Sequence, residues 1–318
     1  MQITMSHLRT YITSATLASL ALLLAVAPAT SEAQQNRDDA RFPIRLDTTF
    51  AFGTRGSGEI AIPSGDVIVR GWSEPRVRVR AATERGVVRA EGTSSYFTLG
   101  LRGQYSRGTD TRFEVWVPVG TRLRITTQSG NVTIGGTKAE VEAGTQSGDI
   151  ELEDVGDRVA ANVLSGDVSM RRVAGDVRVS AVSGDIDLTD VTGDVEISSV
   201  SGDITLRGVT SRRVRTKTTS GDVTYDGVID PAGRYDFGSH SGDVDILLPA
   251  NASTQVTVAT FSGGIVSDFP ITLSSGTHDI GITSTKRFTF NVGKGEARLT
   301  AESFSGDVTI RQRGRTTR

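Results

Sequence analysis

Five nine-residue units run without a gap through residues 165–209: SGDVSMRRV, AGDVRVSAV, SGDIDLTDV, TGDVEISSV and SGDITLRGV. No other feature limits the possible folds so strongly. Counting each Gly as zero, the second, fourth and seventh places are apolar. They are Val168, Met170 and Val173 after Gly166, and Val195, Ile197 and Val200 after Gly193. Two apolar residues two apart describe a strand with one buried face. The third follows a two-residue break, which places a corner. The small residue and Gly that come next supply a turn, where Gly tolerates positive φ. One such unit cannot bury its apolar face, but stacked copies can, so the period predicts a solenoid. Units opening with Ser-Gly alternate with units opening with Ala-Gly or Thr-Gly, so one coil is expected to hold 18 residues and two sides.

Helical periodicity is nearly absent after the N-terminus, and Val, Ile and Thr abound beside Gly. The fold class is therefore all-β: a parallel β-solenoid with about 18-residue two-sided coils and a β-rich N-terminal cap. The chain of 318 residues carries 37 acidic and 35 basic side chains. That balance gives no field directed at nucleic acid. The absence of Cys excludes disulfides, thiolate metal sites, Cys nucleophiles and a lipidated N-terminal Cys. Three His make a His-rich metal site a poor expectation. No cofactor is implied.

Residues 1–33 read as a secretory signal peptide, with Arg9 in a basic front and an apolar run over 15–27 that is short for a membrane span. Ser31-Glu32-Ala33 is the preferred cleavage site and Ala27-Pro28-Ala29 the second. The mature chain carries no further hydrophobic span, so the expected location is exported: periplasm, outer surface or extracellular. A flexible leader is expected over 34–41, the cap over 42–120, the solenoid over 121–311 and a basic tail over 312–318. Within the cap, RVRVR at 76–80 and FEVWV at 113–117 alternate as strands do. Residues 91–110 suggest a hairpin with a mobile loop.

First-side glycines fall at Gly130, Gly148, Gly166, Gly184 and Gly202, then at Gly221, Gly242 and Gly263 with small insertions. The pattern breaks over 274–286 and resumes before Ser305-Gly306-Asp307. The column Gln128, Gln146, Leu164, Val182, Val200, Thr219, His240, Phe261 and Phe304 is expected to point inward. Its aromatic members would then fill a widening C-terminal core. His240 thereby reads as a core residue rather than a catalytic one, and His278-Asp279 as loop surface. Gly53, Gly56 and Gly58 lack the spacing of a phosphate-binding loop.

Two charged sets are singled out. Asp149, Asp167, Asp185, Asp203, Asp222 and Asp243 follow successive first-side glycines. Stacked in register about 4.8 Å apart, they would repel. Turn N–H bonds and solvation are the favoured compensation; a row of calcium ions is the alternative. The second set, Arg207, Arg212, Arg213, Arg215 and Lys217, is a solvated face or a candidate anionic-ligand patch.

GDVIVRGW at 65–72, WVPVGTRLRITTQSGNVTI at 116–134, the SGD coils and GKGEARLTAESFSGDVTI near the end together resemble the bacterial putative-adhesin family. That family is an exported domain of unknown function with repeated Ser-Gly-Asp coils. The resemblance covers about 50–311 and implies an exported β-solenoid, with no catalytic residues to carry over. Tight central corners leave no groove wall for an enzyme. The expectation is thus a non-enzymatic cell-envelope protein, adhesin-like or structural, whose partner is an envelope polymer, a surface or another protein. The alternatives are a calcium-dependent polysaccharide-active β-helix enzyme and a periplasmic envelope-stress scaffold.

Overall fold

The computed structural model describes residues 44–102, 111–270 and 286–314. The expected signal peptide and leader, part of the loop expected within 91–110, His278-Asp279 and the end of the expected basic tail lie outside them. Every regular element among the described residues is a strand, and all 24 strands join in one hydrogen-bonded system.

The predicted coil is present. Val159 sits beside Val141 and Val177, and Ile150 beside Val132 and Val168, in parallel register at intervals of 18. Each coil has an entering strand that leads into Ser-Gly-Asp and a leaving strand that follows it. Entering strands stack into one sheet, leaving strands into a second, and their inward side chains form one continuous core.

The stacking order departs from chain order at both ends. The coil Arg55–Ser64 with Asp66–Trp72 is laid down first. The chain then builds the terminal layer, Tyr96–Arg102 with Thr111–Pro118, on its outer side. It next crosses back to place Gly120–Ser129 with Val132–Gly135 on the inner side. The other end mirrors this. Thr254–Ser262 with Ile265–Ser267 forms the terminal layer. The last coil in the chain, Ala297–Ser305 with Val308–Gln312, slots between it and the coil that contains Val244–Leu248.

Antiparallel strands then close the ends. Val87–Gly92 covers Tyr96–Arg102, Arg76–Thr83 and Ile44–Ala51 extend Thr111–Pro118, and Lys286–Val292 covers Thr254–Ser262. A bare parallel edge invites pairing with another chain, and such covers remove it. Residues 55–72 and 96–118 thus add two coils to the stack ahead of those that begin at Gly120.

The core corrects one expectation. On leaving strands the seventh place is buried, as at Val155, Val173, Val191 and Val209. On entering strands it faces solvent, as at Leu164, Val182 and Val200. The cause is a single residue. Just before the corner, each of several leaving strands has one residue in the left-handed region: Gly136, Asp154, Arg172, Asp190 and Gly208, with φ between 53° and 73°. That residue breaks the two-residue alternation and turns the next side chain inward. Entering strands have no such break. Alternation carries Val195 and Ile197 on to Ser199, and Val177 and Val179 on to Ala181. The whole column from Gln128 to Phe304 therefore points outward. The small residues Thr145, Ala181, Ser199 and Ser239 fill the narrow end of the core instead.

The Ser-Gly-Asp corner needs its glycines twice over. At Gly184, φ is 124°, and a Cβ would lie 2.0 Å from the carbonyl oxygen of Gly166 in the layer below. Gly58 is required for a different reason. Its missing side chain makes room for the Phe97 ring, which a Cβ would meet at 2.1 Å.

Candidate functional site

The aspartate column forms a ladder between coils. The Oδ1 of Asp149 accepts the Asp167 N–H at 2.9 Å, Asp167 that of Asp185 at 2.8 Å, and Asp185 that of Asp203 at 2.9 Å. Asp203, Asp222 and Asp243 continue it to Asp222, Asp243 and Asp307 at 2.8, 2.7 and 2.7 Å. Asp66 and Asn131 begin the column, and Asp307 ends it on Gly264. Each partner is the N–H one coil on, not a group in the same turn. One carboxylate oxygen per layer is thereby committed to a positive N–H dipole, which offsets the repulsion along the row. Among the described residues no cluster of three or more His, Asp or Glu is placed to hold a metal ion.

The basic set does not converge. Arg207 lies on the leaving sheet and hydrogen-bonds Asp187 at 3.4 Å. Arg212 and Arg213, at the second corner, pair with Asp230 at 3.2 Å and Asp194 at 3.3 Å. Arg215 and Lys217 project from the entering sheet, where Arg215 stands in register between Glu196 and Asp236. Opposite charges alternate along that same column: Arg124 pairs with Glu142 at 2.6 Å and Arg178 with Glu196 at 2.5 Å. At the end of the last strand Arg311 pairs with Asp245, and just beyond it Arg313 pairs with Asp226. In RVRVR, Arg76, Arg78 and Arg80 meet Glu74, Asp47 and Glu114.

Two features lie on the entering sheet beyond these sets. The outward column beside the Ser-Gly-Asp corner is an apolar ridge. It runs through Leu164, Val182 and Val200, and after Thr219 through His240, Phe304 and Phe261 in layer order. His240 stacks on Phe304 and Phe304 on Phe261, each at 4.8 Å between ring centres. The sequence exposes this column as a series, but strand phase alone assigned it to the core. The second feature is invisible in the sequence because its residues come from four separate segments. At the opposite edge of the sheet, Arg55, Arg122 and Lys138 line a surface depression of about 370 Å³, with Asp157 on its rim.

Pairs of sheets wound into a capped parallel coil, with surface columns continuous from layer to layer, define a parallel β-solenoid. The chain belongs to the family described as Toastrack DUF4097, whose model matches residues 87–311. No curated protein matches it. Solved structures with similarity include a putative adhesin from Parabacteroides distasonis, at 11% identity and a TM-score of 0.44 over 85% of this chain and 97% of that one. A putative cell adhesion protein from Clostridium sporogenes is 10% identical, with a TM-score of 0.30 over 85% and 100% of the two chains. A putative adhesin from Bacteroides fragilis is 8% identical, with a TM-score of 0.34 over 85% and 98%. Among the described residues no helix is long and apolar enough to cross a membrane.

Proposed function

We propose that the protein is a non-enzymatic, exported cell-envelope component that acts as an adhesin-like binding element through the outer face of its entering sheet. The apolar ridge carries this reading. From Leu164 to Phe261 it spans seven layers, or roughly 30 Å at the strand spacing of about 4.8 Å. Apolar side chains arrayed in one exposed line cost solubility and mark contact surfaces. The neighbouring outward column is small and polar beside the aliphatic part of the ridge, with Asn162, Ser180 and Ser198 in successive layers before Lys217, so that part of the face is flat enough to lie along a polymer or a partner protein. The signal-peptide pattern over 1–33 supports export.

The test joins location to attachment. Fractionation should find the mature chain at the envelope, and a deletion strain should attach to surfaces less than its parent. Restoring the gene with Val182→Glu and Val200→Glu should leave the circular dichroism and melting curve intact but not restore attachment. A chain found wholly as soluble periplasmic protein, in a strain whose deletion attaches normally, would overturn the reading.

A further inference from the structure

The depression around Arg122 does not stand alone. A second one, of about 270 Å³, adjoins it and shares Ser57 and Arg122 in its lining. The two have different chemistry. The first carries three cations, Arg55, Arg122 and Lys138, against one carboxylate, Asp157. Among the described residues, neither the Arg55 nor the Arg122 side chain takes part in an ion pair or hydrogen bond, unlike the arginines of the charge ladder beside them. Lys138 reaches the Asp154 carbonyl at 3.4 Å and, behind Arg172, helps hold the Asp154 carboxyl below its ordinary range. Asp157 is occupied by the backbone N–H of Arg158 at 2.7 Å. The second depression has the exposed Tyr96 ring on one side, with the carboxylates Glu59, Glu140 and Glu142 and the guanidinium groups of Arg122 and Arg124 around it; Glu142 pairs with Arg124 at 2.6 Å and Glu140 with Arg158 at 3.9 Å. Tyr96 is held in place by its hydroxyl, which donates to Glu59 at 2.9 Å.

We propose that these adjoining depressions are a two-unit subsite for an acidic polysaccharide: the Arg55–Arg122–Lys138 hollow takes a sugar bearing a carboxylate or sulfate, and the Tyr96 hollow takes its neutral neighbour. Unpaired guanidinium groups match the flat oxyanion of a uronate or sulfate in two-point fashion. An exposed aromatic ring offers an apolar platform for a sugar face, and carboxylates accept hydrogen bonds from hydroxyl groups. A phosphate headgroup would use the cations of the first hollow but would leave the Tyr96 ring unused. The hollows open at the edge of the entering sheet opposite the ridge, in the layers of Tyr96, Ser57 and Arg122. The inference rests on the surface-binding reading and supplies its ligand class.

The probe is a chondroitin sulfate oligosaccharide, in which uronate alternates with an N-acetylated sugar. Binding to the mature full chain is read by calorimetry, beside a chitin oligomer, inorganic sulfate and phosphatidylglycerol vesicles. The chondroitin oligomer should bind, more weakly as salt rises, and the three controls should not. Arg122→Ala should weaken it about tenfold or more, the loss expected for one charge-assisted contact. Tyr96→Ala should also weaken it, which a purely electrostatic contact would not show. Replacing Arg213 and Arg215 by Ser should change nothing. Circular dichroism and melting curves establish that each variant folds. The proposal is overturned if the oligomer fails to bind, if vesicles or free sulfate bind equally well, or if either Arg122→Ala or Tyr96→Ala leaves the affinity unchanged in a folded variant. If glycan binding fails while the ridge variants still lose attachment, only the subsite falls and the surface-binding reading stands.

Discussion

The two corners of each coil follow opposite rules. At the Ser-Gly-Asp corner nearly every layer repeats the same residues, the same positive φ and the same bond from carboxylate to the next N–H. At the opposite corner the layers differ. Left-handed Gly136, Asp154, Arg172, Asp190 and Gly208 follow one another, and the Asp-to-N–H device appears at Asp176 and Asp194 without extending into a ladder. From Gly208 on, the strands Ile204–Ser220 and Val223–Ser241 stay paired through the corner, with register shifts between Arg207 and Val209 and between Ser211 and Arg213, and Tyr225 and Tyr235 fill the core there. Strict repetition marks the corner that builds the coil. The variable corner is free to differ, and the cationic and aromatic hollows lie along it.

The sharpest way to break the comparison is to substitute one residue at each corner. Gly184→Ala puts a Cβ against the Gly166 carbonyl at a φ of 124°. No nearby rotamer or loop movement relieves a clash between two backbones. The expected cost is about 3 kcal/mol or more, read from urea or thermal unfolding. Arg172→Ala at the variable corner removes only exposed ion pairs to Glu153 and Asp154 and should leave the melting temperature nearly unchanged. Equal losses at the two positions would erase the distinction between the corners.

How far the sequence reveals all this follows from what repeats. The coil length, the parallel stacking and the glycine column could be read from residues 165–209, because identical units must meet identical neighbours. Strand phase could not. Whether Val200 points in or out depends on whether a left-handed residue precedes it, and Arg172 or Asp190 in that conformation carries no sequence mark as Gly does. The interleaved ends were hidden as well. Residues 288–310 look like one more coil at the end of a row, yet the register of Ser241 and Ser262 with Ser305 places that coil second from last. The Arg55–Arg122–Lys138 hollow depends on the same crossing at the N-terminal end, which sets Arg55 beside Gly120.

The variable corner should also respond to alkali where the strict one does not. Burial holds the Tyr225 hydroxyl well above the ordinary tyrosine range, and burial raises Tyr235 too. Tyr225 donates to the Val228 carbonyl and Tyr235 to that of Ser211, at 2.9 and 2.7 Å. A raised folded pKa means that the folded state keeps its protons longer. The stabilisation is therefore complete below the unfolded value near 10 and is lost as pH climbs from there toward the folded value. Melting temperature should fall in that window, and the tyrosinate absorbance of these two side chains should appear only with unfolding. Tyr225→Phe should remove part of the dependence. Smooth titration of Tyr225 and Tyr235 along with the other tyrosines of the folded mature chain would show that this corner is open to water.

The smallest expected effect separates charge from hydrogen bonding in the aspartate ladder. If the rung from Asp185 to the Asp203 N–H matters as a hydrogen bond, then Asp185→Ala should cost about 1 kcal/mol and Asp185→Asn almost nothing. The protein already contains that second experiment. Asn131 occupies the same column, and its side-chain oxygen accepts the Asp149 N–H at 2.9 Å, the distance of the next rung, from Asp149 to the Asp167 N–H. An amide therefore serves the ladder as well as a carboxylate. What the carboxylate adds is a negative edge beside the ridge, with like charges about 4.8 Å apart in successive layers. Added calcium should leave the melting temperature unchanged, since one oxygen of each group is committed to an N–H and calcium asks for six or more oxygens. Raised salt should stabilise the wild-type chain slightly, by screening the row, and Asp185→Asn should reduce that gain. A loss for Asp185→Asn as large as for Asp185→Ala, or a calcium-dependent rise in melting temperature, would make the charge itself, and not the hydrogen bond, the reason the column is built from aspartate.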